Sequence, residues 1–200
     1  MDTPDISLEI DNIDNFVFNA RVAAIIEAGP HVLIARSILD PYFHFPGGRQ
    51  KVDENSELGV RREVREELGF ELASVKPALF AENTFSLDVD GQTKNIREFV
   101  LYFRAKVADL DVDGIRPGLV FLGPEGERTQ FQWHLKSNLK NIDLRPRAVA
   151  DLIGEFPERF TYMDVSGSTG CTIVETPGLT RPGGAGPALA RPSGLNLPGI

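Results

Sequence analysis

Residues 48–70 constrain this chain more than any other segment. They read G-R-Q-K-V-D-E-N-S-E-L-G-V-R-R-E-V-R-E-E-L-G-F and include three glutamates near their end, Glu63, Glu66 and Glu67. At about 100° of rotation per residue, a helix would place these three within an arc of roughly 100°. Val60, Val64 and Leu68 would form the adjoining apolar stripe. The segment therefore predicts a helix with an acidic patch bordering its buried face.

This acidic patch predicts a bound cation. Arg62 is the only helix arginine placed to reach Glu66, as its i,i+4 neighbour. Glu63 and Glu67 are left as a like-charge pair one turn apart, near the helix C-terminus, where the helix dipole disfavours negative charge. A hard divalent cation would relieve both penalties, because such ions take carboxylate oxygens as ligands. The alternative interpretation is an ordinary solvated, salt-bridged helix face.

Residues 43–48, which lead into this segment, favour a ligand site over an ordinary solvated helix face. They read F-H-F-P-G-G, at positions 43–48. This pattern predicts a short aromatic strand that ends in a glycine turn. Glycine lets the backbone approach a ligand closely, because it has no side chain.

The segment resembles the signature box of the Nudix hydrolase superfamily, G-x5-E-x7-R-E-U-x-E-E-x-G-U, where U is apolar. Every specified position is occupied, from Gly48 through Glu54 and Arg62 to Phe70. The one departure is Gly59, where helices of this family more often carry alanine. Glycine costs about 1 kcal/mol in a helix interior, so this departure concerns helix stability.

The resemblance implies an activity and a set of metal ligands. Nudix enzymes hydrolyse a phosphoanhydride in a nucleoside diphosphate linked to another moiety, and they use Mg²⁺ or Mn²⁺. Metal ions neutralise pyrophosphate charge and activate water, while a carboxylate accepts the proton. By this resemblance Glu63, Glu66 and Glu67 are metal ligands, together with the carbonyl of Gly47. Glu54 and Arg62 are expected to pair and to hold the loop against the helix.

The general base is left open by the resemblance, since family members use either a box glutamate or an acidic residue on a distant loop. The distant candidates are Glu98 in a long predicted strand, and Glu125 and Glu127 in a Gly-Pro-Glu-Gly-Glu loop. Ordinary surface charge is the favoured interpretation for each of these three.

Four further residues are candidates for contact with the substrate: His44, Phe85, Glu98 and Trp133. His44 lies between two phenylalanines, so simple packing is the favoured alternative. Aromatic rings can stack on a nucleobase. For Trp133, stacking and core packing are equal alternatives, whereas for Phe99 core packing is favoured.

The nucleotide itself is not specified. Residues 84–88 lack the proline and the tyrosine that mark the ADP-ribose and dinucleoside polyphosphate subgroups, and no coenzyme A pyrophosphatase motif precedes the box. A second class of function is a Nudix-fold nucleotide-binding or regulatory module without turnover. A damaged box or a DNA-binding domain would mark such a module. The box is intact and no such domain is recognised, which favours the hydrolase.

Composition restricts the partners and the compartment. The net charge of −8 opposes binding to nucleic acid, which depends on lysine and arginine contacts to phosphate. The acidic residues 1–14 lack the apolar core of a signal peptide, and no apolar run is long enough to span a membrane. Cys171 is the only cysteine, which fits a reducing compartment. We expect a cytoplasmic protein, and the sequence leaves open whether it forms a homodimer.

Periodicity predicts an α/β protein. Residues 21–26 and 32–35 form one hairpin around Gly29-Pro30, and residues 78–87 and 96–107 form another around Asp90-Gly91. Ser56 is expected to cap the box helix and Gly69 to end it. A short strand at 131–134 and a helix at 146–156 complete the pattern. These elements predict a mixed, mostly antiparallel sheet with helices on both faces, the α/β/α sandwich that the Nudix resemblance also implies.

The sequence predicts one domain, residues 1–164, followed by a tail, residues 165–200. Glycine and proline make up about a third of the tail, and it has no apolar periodicity. We expect this tail to be disordered or loosely docked. The alternative is that residues 171–174 add an edge strand to a partner.

Overall fold

A computed structural model describes residues 3–10, 15–38, 40–89, 91–124, 126–154, 159–166 and 172–174. Its strands are β1 (Ser7–Ile10), β2 (Phe16–Ala28), β3 (His31–Ser37), β4 (Gly47–Arg49), β5 (Leu72–Val89), β6 (Gln92–Val107), β7 (Val120–Gly123), β8 (Gly126–Leu135), β9 (Thr161–Asp164) and β10 (Thr172–Val174). Its helices are α1 (Ser56–Leu68), a 3₁₀-helix (Lys136–Asn141) and α2 (Arg147–Asp151).

The strands form a mixed sheet in the order β10-β9-β5-β6-β2-β3-β8-β7, with β1 and β4 also paired to β2. Most neighbours are antiparallel. The parallel pairs are β2 with β6, and β5 with β9. The predicted α/β class and the mostly antiparallel sheet are confirmed.

Two hairpins follow the sequence pattern closely. Gly29 lies between β2 and β3 with a positive φ of 54°, and Gly91 precedes β6 with a φ of 79°. Such values are accessible to glycine at no steric cost. The β2–β3 ladder is short, because β2 turns to pair with β4 instead, whereas β5 and β6 pair along almost their whole length.

Successive side chains of β2 point to opposite faces of the sheet and contribute to two apolar cores, one on each face. Val22, Ala24 and Ile26 pack with the buried stripe of α1, and Ala23 and Ile25 pack with residues of the 3₁₀-helix and α2. The α1 stripe consists of Val60, Val64 and Leu68, all at most 5% exposed. Helices therefore cover both faces, as the predicted sandwich requires.

The N-cap of the box helix lies one residue earlier than predicted. Asn55, not Ser56, caps α1, because its side-chain oxygen accepts a hydrogen bond from Leu58 N at 2.9 Å. Ser56 is the first helical residue, and its hydroxyl donates to Gln50 Oε1 instead. Gly69 ends the helix as predicted, with a φ of 70° and its N–H donated to Arg65 O.

The predicted aromatic strand is wrong. Phe43 and His44 form only isolated bridges, to Leu144 and Ala35, and the strand is made by the glycines that follow. β4 includes both Gly47 and Gly48, which lets it lie close to β2. The predicted second helix is also shorter than expected, since α2 ends at Asp151.

The tail contributes a short strand to the sheet. Thr172–Val174 forms β10, which pairs antiparallel with β9 of the same chain. This strand lies in the tail, which the sequence predicts to be disordered or loosely docked. The remainder of the tail, residues 167–171 and 175–200, lies outside the described residues. The domain boundary at 164/165 and the loose docking of the tail stay predictions.

Candidate active site

The site is built around the two glycines of β4. Gly47 pairs with Ala23 and Gly48 with Val22 on β2. A Cβ on Gly47 would lie 2.2 Å from Val22 O, and its φ of 142° also disfavours a side chain. A Cβ on Gly48 would lie 2.5 Å from a carboxylate oxygen of Glu63. Glycine at position 47 lets β4 lie this close to β2, and glycine at position 48 leaves room for the Glu63 carboxylate.

Two box glutamates reach these glycines from the helix. The Gly47 N–H donates a hydrogen bond to Glu67 Oε2 at 2.9 Å. The Glu63 carboxylate lies directly against Gly48. The two carboxylates, one helical turn apart, therefore flank a single dipeptide.

Arg62 connects the carboxylates of the box. It binds Glu54 through two nitrogens, with Nη2 2.7 Å from Oε1 and Nε 3.0 Å from Oε2. Its Nη1 lies 2.9 Å from Glu63 Oε1 and 2.7 Å from Glu66 Oε2. The hydrogen bonds from Arg62 are the main reason that the pKa of Glu54 is below its usual value.

The position of Arg62 corrects the predicted charge balance of the box. The spacing predicts that Glu63 is uncompensated beside Glu67, yet Glu63 pairs with Arg62. A sequence offset of one residue hides this contact, because i,i+1 side chains do not normally face each other on a helix. The predicted contacts of Arg62 with Glu54 and with Glu66 are present.

Burial sets the electrostatics of Glu63. Its side chain is only 13% exposed, and this desolvation raises its pKa, while the charge and hydrogen bond of Arg62 oppose the rise. Glu66 is more open, with a side chain 42% exposed. Arg62 thus contacts one largely buried carboxylate, that of Glu63, and one more exposed carboxylate, that of Glu66.

The donor set suits a hard cation, although the described residues contain no group of three or more His, Cys, Asp or Glu side chains already arranged around a metal position. Carboxylates are the preferred ligands of Mg²⁺ and Mn²⁺. Glu63 and Glu67 already converge on the Gly47–Gly48 backbone. Glu66 would have to exchange its contact with Arg62 to join them.

His44 lies three residues before this glycine pair. Its Nδ1 is 3.1 Å from Phe45 O, and burial lowers its pKa below the ordinary value. The ring is therefore neutral at pH 7. Whether it contacts a substrate stays a prediction.

Glu98 lies on the face of the sheet opposite α1, where it meets a residue that the sequence did not indicate. Its carboxylate is 3.6 Å from Arg21 Nη1. Arg21 is on β2 and pairs across the ladder with Arg49 of β4. The sequence carries no signal for this pairing, because residues 21, 49 and 98 meet only once the strand registers are set.

The aromatic candidates differ in their positions, and Phe85 lies away from the glycine pair. Phe85 pairs with Ile96, which pairs with Val17 on β2. Val17 is five residues from Val22, or about 16 Å along a strand. Trp133 is 6% exposed within the core beneath α1, a position that supports packing. Phe99 forms edge contacts with Phe18 and Phe80.

Glu125 and Glu127, the distant candidates for the general base, belong to a loop that follows β7. The start of this loop, at Gly123 and Pro124, lies against the C-terminal end of α1. A Cβ on Gly123 would lie 1.5 Å from Glu67 O, and one on Gly69 would lie 3.2 Å from Pro124. Glu125 itself and the side chain of Glu127 lie outside the described residues. Their candidacy stays a prediction.

The family model of the NUDIX domain matches residues 17–164, which include the box and the strands on both sides of it. The chain belongs to the Nudix hydrolase family. No curated protein matches the chain.

Solved structures are similar to this chain at low sequence identity. A Nudix hydrolase from Nitrosomonas europaea is 19% identical, with 74% of this chain and 79% of that chain covered and a TM-score of 0.51. A MutT protein from Bacillus halodurans is 14% identical, with 73% and 88% covered and a TM-score of 0.49.

In the described part of the chain, no helix is long and apolar enough to cross a membrane.

Proposed function

We propose that this Nudix hydrolase is a metal-dependent nucleotide pyrophosphohydrolase, which cleaves a phosphoanhydride in a nucleoside diphosphate joined to another moiety. One observation carries the proposal. Glu63 and Glu67 converge on the Gly47–Gly48 dipeptide, which brings two box carboxylates to the same short stretch of backbone. An intact box with this geometry favours turnover over a binding module.

We assign Glu63, Glu66 and Glu67, with the Gly47 carbonyl, as the groups that would hold Mg²⁺ or Mn²⁺. When bound, such a metal neutralises pyrophosphate charge and lowers the pKa of a water nucleophile. Arg62 and Glu54 act on the protein side. By binding Glu54 through two nitrogens and contacting Arg49 O at 3.0 Å, Arg62 fixes the loop and β4 relative to the helix.

The proton acceptor belongs among the box glutamates in this proposal. Glu63 and Glu66 both accept a hydrogen bond from Arg62, so a change in the charge of one carboxylate alters the contact of the other with Arg62. Glu98 is a weaker candidate, because its carboxylate lies on the face of the sheet opposite α1, next to Arg21.

The test is turnover on a panel of nucleoside diphosphate derivatives with saturating Mg²⁺. Glu67→Gln removes a charge at nearly constant shape, and we expect a loss of about 10²–10⁴-fold, as for other essential acid–base groups. Glu57→Gln is the matched control, because Glu57 is on the same helix with a side chain 55% exposed and contacts only Arg61 in the described residues. A Glu67→Gln variant with more than about a tenth of wild-type activity would contradict the proposal.

A further inference from the structure

Four aromatic rings form a continuous strip across the sheet. Tyr162 on β9 stacks on Phe80 of β5, with ring centroids 6.1 Å apart. Phe80 contacts Phe99 of β6 at 5.4 Å, and Phe99 contacts Phe18 of β2 at 5.0 Å. These four rings, which we call the aromatic strip, belong to neither of the two apolar cores. All four residues are only partly buried, so the strip keeps contact with solvent.

The aromatic strip lies on the same face of the sheet as α1. Phe80 is opposite Leu101 on β6, and Leu101 packs against the core beneath α1. Cross-strand partners project to the same face of a sheet. In one row across the strands, Val22 lies beneath α1, and Leu101, Phe80 and Tyr162 follow toward the β10 edge. The helix therefore covers one end of this row, and the aromatic strip occupies the other.

β10 brings the chain to this strip. Val174, its last residue, is directly opposite Tyr162 on β9. Neighbouring strands lie about 4.8 Å apart, so Phe80 on β5 is roughly 10 Å from β10. Five further residues span up to about 17 Å when they are extended. The chain can therefore reach the strip by Leu179.

The part of the tail that follows β10 carries a sequence repeat. It reads L-T-R-P-G-G at positions 179–184 and L-A-R-P-S-G at positions 189–194. Prolines also recur at every fifth position from 177 to 192. Proline-rich segments favour the polyproline II conformation, and this conformation binds to grooves lined with aromatic rings. The composition of the repeat thus matches an aromatic surface.

The charges of the repeat and of the strip are complementary. Residues 175–200 contain two arginines, at positions 181 and 191, and one acid, in a chain with a net charge of −8. On the sheet, Glu82 and Asp164 are cross-strand partners. Each lies two residues from a ring of the strip and so shares its face. Arg97 pairs with Glu82, so this border of the strip carries one net negative charge.

We propose that residues 175–184 bind the aromatic strip of their own chain in an extended, polyproline-like conformation. In this arrangement Leu179 and Pro182 pack on the rings, and Arg181 faces the carboxylate of Asp164. A segment of the same chain is favoured over a second copy, because a short tether gives an effective concentration on the order of millimolar. The inference goes beyond the proposed hydrolase function and does not rest on it.

NMR spectroscopy of the full chain tests the location. We expect Leu179→Ser to move the backbone amide signals of Phe80 and Tyr162, and to leave those of β7, at the opposite edge of the sheet, unchanged. Leu197→Ser is the matched control, because it makes the same change outside both copies of the repeat. It should leave both sets of signals unchanged. Changes at β7 instead of the strip, or no change at the strip, would overturn the proposal.

Thermal unfolding tests whether the tail and the strip are coupled. Leu179→Ser should lower Tm by about 2–4 °C in the wild-type background. In a Tyr162→Ala background it should have no further effect, because the ring that it contacts is gone. Leu119→Ser is the control background, since Leu119 is 61% exposed beside β7, and Leu179→Ser should keep its full effect there.

An equal effect of Leu179→Ser in the Tyr162→Ala and wild-type backgrounds would show that the leucine does not contact the strip, and would overturn the proposal. The NMR comparison makes no change in the sheet, so it decides the question even if Tyr162→Ala does not fold.

A second copy of the chain is the rival occupant of the strip. It would make the signals of Phe80 and Tyr162 depend on protein concentration and would give the mass of a dimer, in wild type and Leu179→Ser alike. That result would overturn the proposal. Strip signals that respond to Leu179→Ser and do not depend on concentration would support it.

Discussion

At the residue scale, Arg62 organises the box. Its guanidinium group contacts Glu54, Glu63, Glu66 and the Arg49 carbonyl. Three carboxylates on one arginine leave excess negative charge next to Glu67. A bound cation would offset this excess negative charge. We therefore expect the proposed metal to affect the stability of the fold as well as the activity.

We predict that a divalent metal stabilises the fold through Glu63 and Glu67. A ligand that binds only the native state at about 100 times its Kd adds about 2.7 kcal/mol. For a chain of this size, that raises Tm by roughly 5–10 °C. The measurement is thermal unfolding in EDTA and in millimolar Mg²⁺ or Mn²⁺. The Glu63→Gln/Glu67→Gln variant should lose the shift, and an equal shift in that variant would place the metal elsewhere.

At the element scale, Gly59 links the stability of α1 to the loop before it. A Cβ at this position would lie 3.0 Å from Glu54 Oε1 and 3.5 Å from Val22 Cγ2. Glu54 has little freedom to move, because Oε1 also accepts hydrogen bonds from Arg62 and from Lys51 N. Glycine here makes room for the Glu54–Arg62 pair at the cost of helix propensity.

We therefore expect Gly59→Ala not to stabilise the protein. Helix propensity alone favours alanine by about 1 kcal/mol, and the contact with Glu54 should cancel this gain. In a Glu54→Ala background the same change should recover it. Urea unfolding of the four proteins in this double-mutant cycle gives the coupling between the two sites. Stabilisation by 1 kcal/mol in both backgrounds would contradict the explanation.

At the scale of the whole molecule, Glu27 joins three distant segments. At the end of β2 it contacts Arg104 of β6 at 2.8 Å and Lys136 of the 3₁₀-helix at 2.6 Å. Burial raises the pKa of Glu27, but its two cationic partners outweigh this effect and bring the pKa below the ordinary value. Folding therefore favours the ionised carboxylate.

The sign of the pH dependence follows from that lowered pKa. A carboxyl group with a lower pKa in the folded state stabilises the fold above its unfolded pKa of about 4.3, and the stabilisation is lost as the pH falls through the folded pKa. Glu27→Gln should cost about 1 kcal/mol or more at pH 7. The difference from wild type should shrink as the pH falls below about 4.3 and disappear below the folded pKa.

Urea unfolding at several pH values checks this prediction. Glu71→Gln is the control, because the pair of Glu71 with Arg65 is exposed and such pairs contribute little. A cost for Glu27→Gln that does not change with pH would show that the ion pairs are not its source.

The tail gives a second prediction at this scale. A chain that ends at Asp164 should keep its hydrolase activity, and its Tm should fall by no more than a few degrees, because it loses only the three-residue strand β10 among the described elements. A chain that ends at Val174 keeps β10 and is the matched comparison. Melting temperature, oligomeric mass and turnover are the measurements. A large drop in Tm, or loss of a dimer, would place the tail within the architecture.

The sequence by itself determined the local elements of this protein. The 3.6-residue period predicts α1 and its buried stripe, Gly69 marks its end, and the glycines at positions 29 and 91 mark the turns of both predicted hairpins. The box spacing also placed Glu63 and Glu67 on one side of the helix. These features depend on interactions between residues near in sequence, so the pattern of side chains was sufficient to predict them.

Only the tertiary structure decided which distant segments meet. The parallel pairing of β2 with β6 brings Glu98 to Arg21, and the pairing of β2 with β4 brings Arg49 opposite Arg21. A shift of one residue in either register would turn these side chains to the other face. That register is fixed by the packing of two apolar cores against α1 and α2, a property of the whole sheet that no single segment of the sequence contains.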